Sequence, residues 1–102
     1  MTGPDGSLGP EGRYRLVRQL GGGGMGEVWE ADDTVLGRRV ALKMLVQELA
    51  DDPRATRRFV REARATAKLT HPNVTRVYDF GRDGGLPYLV MELLEGALLR
   101  WP

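Results

Sequence analysis

Apolar and polar residues mix from Tyr14 to Leu20 in a way that predicts a first strand, closed by the glycines at 21 to 24. Extended character resumes from Glu27 to Ala31, where Val28 and Trp29 favour β structure. Asp32, Asp33 and Gly37 then mark a turn before a third strand, Arg39 to Leu45. Three strands joined by short turns predict an antiparallel meander. Asp52-Pro53 reads as a helix start, an N-cap acceptor followed by proline at the first helical position. The segment from Pro53 to Leu69 has no internal Gly or Pro, and Ala55, Phe59, Ala63, Thr66 and Leu69 fall on one stripe at helical spacing. His71-Pro72-Asn73 ends that helix, because the residue before a proline is pushed out of the α region. Two more strand-like runs follow, Val74 to Phe80 and Leu86 to Glu92, separated by a turn signal from Gly81 to Gly85. The order β-β-β-α-β-β predicts an α+β fold, a five-stranded antiparallel sheet with one main helix.

At 102 residues the chain has room for one small core and no second domain. A net charge of +1 names no partner by itself. Cysteine is absent, which removes disulfides and thiolate metal sites and fits a reducing cytoplasm. Gly3, Pro4, Gly6, Gly9, Pro10 and Gly12 crowd the first twelve residues, so 1–12 reads as a flexible arm with no apolar run for a signal peptide. No stretch approaches the roughly 18 apolar residues of a membrane span, and a soluble chain is expected.

The candidate chemistry sits at the glycines. Gly21-x-Gly23-x-x-Gly26 alone is a weak signal. A dinucleotide-binding turn would need a helix straight after it, yet Glu-Val-Trp-Glu-Ala follows. A phosphate-binding P-loop would need Lys and Ser/Thr after its last glycine, and Gly26 precedes Glu27. What remains is a strand–loop–strand hairpin whose amides can face an anion, with a plain hairpin turn as the alternative. On the next strand, alternation sets Val40, Leu42 and Met44 on one face and Ala41, Lys43 and Leu45 on the other. Small Ala41 leaves space for a flat ring, and the Lys43 ammonium can meet phosphates beyond it; an edge-strand charge is the alternative. The helix carries Arg54, Arg57, Arg58, Arg61, Arg64 and Lys68 against the single acid Glu62. Glu62 leans toward the buried side, where a carboxylate needs a cation; Lys43 is one candidate, and Arg58, four residues earlier, is the local alternative. The arginine face reads either as a solvated surface or as a contact for nucleic acid or an acidic partner.

Taken together, these residues resemble the small lobe of eukaryotic-like serine/threonine protein kinases, the bacterial ones in particular. The resemblance is carried by Tyr14–Leu20, the loop Gly21–Val28, Val-Ala-Leu-Lys at 40–43, Arg-Glu-Ala at 61–63, His-Pro-Asn at 71–73 and the run from Tyr88 to Gly96. It covers residues 13–96, with 97–102 as the start of a large lobe that the pattern follows poorly. It implies ATP as the bound nucleotide and protein Ser/Thr hydroxyls as acceptors. Gly21, Gly23 and Gly26 would roof the phosphates, with Met25 at the loop tip. Gly22 and Gly24 would add flexibility there. Leu20, Val28 and Ala41 would form the upper adenine wall. Lys43 would hold the α- and β-phosphates and pair with Glu62. Met91 would be the gatekeeper, the backbones of Glu92 and Leu94 the hinge, and His71 a structural residue.

The family's His-Arg-Asp catalytic loop does not occur in these 102 residues, and so no Asp-Phe-Gly stands after such a loop to hold magnesium. The chain alone is therefore expected to transfer no phosphate and to supply no Mg²⁺ ligand. It should bind nucleotide only at about millimolar strength, near −4 kcal/mol. Nucleic acid is not an expected partner. A non-catalytic interaction module is the competing expectation.

Overall fold

The computed structural model describes residues 6–23, 26–68 and 76–93, without the side chains of 23, 66 and 67. Gly24, Met25, Leu69, the His71-Pro72-Asn73 turn, Leu94 and residues 97–102 lie outside the described residues, as does the side chain of Thr66. Six strands form one antiparallel sheet: β1 (Ser7–Leu8), β2 (Tyr14–Gly23), β3 (Gly26–Asp33), β4 (Arg38–Leu45), β5 (Val77–Asp83) and β6 (Leu86–Glu92). Their order is β1-β2-β3-β4-β6-β5, with the helix α1 (Pro53–Lys68) between β4 and β5 in sequence. The last hairpin folds back so that β6, the more apolar strand, lies in the middle against β4.

The expectation of five strands is corrected to six, the sixth arising within the segment read as an arm, of which residues 1–5 lie outside the described residues. Ser7 and Leu8 pair with Arg15 and Tyr14, and Leu8 is fully buried. A single apolar residue in a Gly/Pro run shows no period, so nothing local announced a strand. The glycines that read as flexible serve a tight turn instead. Gly9 and Gly12 take φ of 86° and 69°, and the Gly12 amide donates to the Gly9 carbonyl at 3.0 Å.

Two turns shift for similar reasons. Asp32 and Asp33 end β3 rather than opening the turn, which spans 34–37 with Gly37 at φ 68°. Asp33 closes it from below: its Oδ1 accepts the amides of Val35 and Leu36 at 3.0 and 3.1 Å. Gly81 belongs to β5, opposite Tyr88, and a Cβ there would sit 2.4 Å from the Tyr88 hydroxyl oxygen. It is glycine because an aromatic side chain crosses it, not because the chain turns. The turn itself is Gly84-Gly85, with φ of 59° and 86°, the positive pair a two-residue hairpin loop requires.

Helix α1 starts as its cap predicts. Asp52 Oδ1 accepts the amides of Arg54 at 2.9 Å and Ala55 at 3.4 Å, and the Asp52 carbonyl accepts the Thr56 amide at 3.0 Å. Ala55, Phe59 and Ala63 form its buried stripe against β4, β5 and β6. The opposite side of the sheet is closed by its own curl. The Tyr14 hydroxyl on β2 donates to Asp79 Oδ2 on β5 at 3.2 Å, and the Gly9 amide donates to Asp83 Oδ2 at 3.0 Å. Those partners stand at opposite ends of the strand order, so the sheet bends until its two sides meet around Leu8, Tyr14 and Tyr88. The two tyrosine rings meet edge-on at 5.9 Å.

Candidate functional site

The glycine hairpin is the end of β2 folded onto the start of β3, with Gly21 opposite Val28, Gly22 opposite Glu27 and Gly23 opposite Gly26. Register shifts bracket Val17 and Leu20, so β2 carries two bulges, the second just before the glycines. Each bulge adds twist, and the second places half-buried Leu20 at the base of the hairpin.

Beneath the hairpin, pairing across β3, β4 and β6 sets two rows on one face of the sheet. Val28, Lys43 and Leu89 form the first; Glu30, Ala41 and Met91 form the second. Directly opposed residues of antiparallel strands share a face, and residues two apart stay on it. Val28 and Ala41 are 6% and 4% exposed, and Met91 is fully buried. Gly26 shows why a glycine ends the hairpin: a Cβ on it would lie 3.5 Å from Lys43 Cε and 3.2 Å from the Met44 carbonyl oxygen. The lysine stem therefore passes directly under the glycine strand. Gly21, by contrast, faces open space.

The same face meets the helix. Leu89, the neighbour of Lys43, lines a groove with Val60, Ala63 and Arg64 of α1, so α1 lies on the side of the sheet to which Lys43 belongs. Glu62 stands half-buried on that helix and accepts from Arg58 Nε at 3.2 Å. That local pair is exposed and contributes about 0.3–0.5 kcal/mol. A carboxylate has room for more than one cation, so the Arg58 contact does not exhaust it. At the other end of the sheet, the Glu92 amide donates to the Arg76 carbonyl at 2.8 Å, and Glu92 pairs with Val40.

Sequence reasoning missed a ladder of charges that continues the Ala41–Lys43 face toward solvent. Glu30 takes Arg18 at 2.7 Å and also Arg39, while Asp32 takes Arg39 and Arg15, the latter at 3.1 Å. Hydrogen bonds from Arg18 and then Arg39 hold the Glu30 carboxyl below its usual range, despite its burial. Alternation put Glu30 and Asp32 on one face; only the register showed which arginines stand beside them. Among the described residues, no group of three or more His, Cys, Asp or Glu side chains could hold a metal ion. Those residues thus offer a divalent cation no carboxylate cage. Nor is any described helix long and apolar enough to cross a membrane.

A glycine hairpin over a lysine strand, backed by a helix, has close relatives. The chain is 52% identical over 93 residues to the serine/threonine-protein kinase PknA of Mycobacterium tuberculosis, covering 86% of this chain and 22% of that protein. It is 45% identical over 89 residues to the serine/threonine-protein kinase PrkC of Bacillus subtilis, covering 87% of this chain and 14% of PrkC. The chain thus spans less than a quarter of these relatives. In structure it resembles the Mycobacterium tuberculosis PknI kinase domain, with a TM-score of 0.60 and 35% identity over 80% of this chain and 33% of that one. The apo form of PpkA-294 shares the fold at a TM-score of 0.70 and 24% identity, over 91% of this chain and 39% of that one. Residues 14–101 match the family described as the protein kinase domain, and the chain, with its glycine hairpin, lysine strand and packed helix α1, belongs to that family.

Proposed function

We propose that this chain is the ATP-binding small lobe of a serine/threonine protein kinase. Gly21, Gly23 and Gly26 cover the nucleotide phosphates with backbone amides, and Gly22, Gly24 and Met25 complete the flap. Lys43 holds the α- and β-phosphates, and Glu62, one packed element away, orients its ammonium. Leu20, Val28 and Ala41 make the upper wall for adenine. Met91 limits the depth of the pocket, and the backbones of Glu92 and Leu94 meet the base edge. At Glu92 the amide already donates to Arg76, so its carbonyl is the group that serves. The observation that supports this proposal is the closeness of the Lys43 stem to Gly26, where a Cβ would lie 3.5 Å from Lys43 Cε, under a loop suited to phosphates.

The catalytic base, the magnesium ligands and the protein substrate's platform are not supplied by these residues, so phosphoryl transfer to a protein hydroxyl belongs to a larger assembly containing them. The setting is the cytoplasm, where ATP is available. Titration of the chain with ATP by calorimetry tests the proposal. Weak saturable binding, on the order of millimolar, is expected, and Lys43→Met abolishes it. Binding indifferent to Lys43→Met refutes it. Incubation with ATP, Mg²⁺ and a generic protein substrate is expected to yield no phosphoprotein, and clear labelling by a clean preparation overturns that expectation.

A further inference from the structure

The glycine hairpin has an outer side as well as an underside. Strand alternation puts Val28 on the Lys43 face of the sheet and its neighbours Glu27 and Trp29 on the opposite face. Trp29 pairs with Leu42 of β4, itself fully buried, and packs against the hydrophobic core on that side. From this anchorage the indole Nε1–H donates to Glu27 Oε1 at 3.0 Å. Glu27 is half-buried and follows Gly26 directly, at the foot of the hairpin.

The β2 limb is held from the same side. Gln19 stands opposite Trp29, and Gly22 opposite Glu27. Gln19 Nε2 donates to the Gly21 carbonyl at 3.2 Å. A Cβ on Gly22 would lie 2.8 Å from Gln19 Nε2 and 3.7 Å from Glu27 Cγ, so these two side chains flank the bare backbone between them. Glycines bring no cross-strand side-chain pairs of their own, and their backbone loses the most freedom on ordering. The height of the hairpin above Lys43 is therefore set by its neighbours. Water could satisfy a half-buried carboxylate and an indole N–H equally well. What the direct contact adds is a fixed link from the hairpin to the core.

We infer that Glu27, tethered to Trp29, is a positioning residue that holds the glycine hairpin where its amides meet phosphates, and so favours a nucleoside polyphosphate over the bare nucleoside. This rests on the nucleotide-binding reading above and names the residues that give it a preference for phosphate. The Glu27 carboxylate lies on the face away from Lys43, so its hydrogen bond serves rather than its charge. A neutral amide accepting the same indole N–H serves too.

The test titrates the full chain with ATP and with adenosine, followed by NMR chemical shifts. The wild-type chain is expected to prefer ATP. Glu27→Ala weakens ATP about tenfold and leaves adenosine within about twofold. Glu27→Gln restores ATP binding to within about threefold of wild type. It also keeps the indole N–H resonance of Trp29, assigned by its loss in Trp29→Phe, near its wild-type shift, whereas Glu27→Ala moves it. An ATP affinity that ignores Glu27→Ala overturns the inference. So does equal weakening of ATP and adenosine, which marks a general loosening, or a Glu27→Gln variant as weak as Glu27→Ala, which makes the charge decisive. A wild-type chain that binds ATP no better than adenosine overturns the phosphate site itself, and this inference with it, so the two failures are told apart.

Discussion

Lys43 and Gly26 approach so closely that a Cβ on the glycine would stand 3.5 Å from the lysine Cε. The last glycine of the loop is therefore a clearance for the lysine stem, and a larger side chain there pushes both Lys43 and the Met44 carbonyl. Gly26→Val is expected to cost about 1–3 kcal/mol of stability by overpacking and to abolish nucleotide binding. Gly21, facing open space, tolerates Gly21→Ala within about 0.5 kcal/mol. Thermal melts of the two variants, with and without ATP, check the contrast.

Gly81 makes a sharper steric case. A Cβ 2.4 Å from the Tyr88 hydroxyl cannot be accommodated without moving a buried ring. Gly81→Ala is expected to lose about 1–3 kcal/mol. That corresponds to roughly 4–8 °C of melting temperature per kcal/mol for a domain of this size. The paired change Gly81→Ala, Tyr88→Phe removes the 2.4 Å contact but leaves the ring carbon Cζ at 2.6 Å, and should recover only part of the loss.

Asp33 gives the acid limit of stability. Both of its oxygens receive Arg13 at 2.9 Å, and the amides of Val35 and Leu36 add to them. The Arg13 hydrogen bond, against the opposing effect of burial, pulls the Asp33 carboxyl down from 3.8 to about 2. A depressed carboxyl stabilises the fold above its unfolded value, and the contribution disappears as pH falls through the folded one. Stability should thus drop between about pH 4 and pH 2, by on the order of 2 kcal/mol from this group. Asp33→Asn should flatten that part of the curve, as read by denaturant titration at several pH values.

Tyr14 sets the alkaline limit. Burial first, then the nearby Asp79 charge, raise its hydroxyl from 10 to about 12. Because the folded value is the higher one, the stabilisation is intact below about pH 10 and is lost as pH rises toward 12. Tyr14→Phe removes this dependence and about 1 kcal/mol of stability at neutral pH, for want of the Asp79 hydrogen bond. Absorbance at the phenolate band, followed with unfolding, reads both.

The elements were legible wherever a period ran long enough. Leu86–Glu92 and the Asp52-capped start of α1 fall where alternation and capping rules place them. The glycine hairpin and the lysine strand were legible too, because a motif at fixed spacing is a local signal. What escaped notice depends on distant partners. Leu8 is buried only because Tyr14 and the last hairpin cover it, and Gly81 is a glycine only because Tyr88 lies opposite. The Glu30–Arg39 ladder follows from a register that no single strand encodes. Position 62 was legible as an acid near the buried stripe. Its Arg58 contact arises from i,i+4 geometry that the sequence already contained.

The hydrogen bonds from Gly9 to Asp83 and from Tyr14 to Asp79 span 74 and 65 residues of chain. Such contacts reward folding only after nearly the whole loop between them has been ordered. During synthesis, the first strands wait with their tyrosine exposed until the final hairpin leaves the ribosome. That hairpin is the keystone of the sheet, and slow emergence of residues 77–92 would lengthen the interval in which the early strands can find the wrong neighbour.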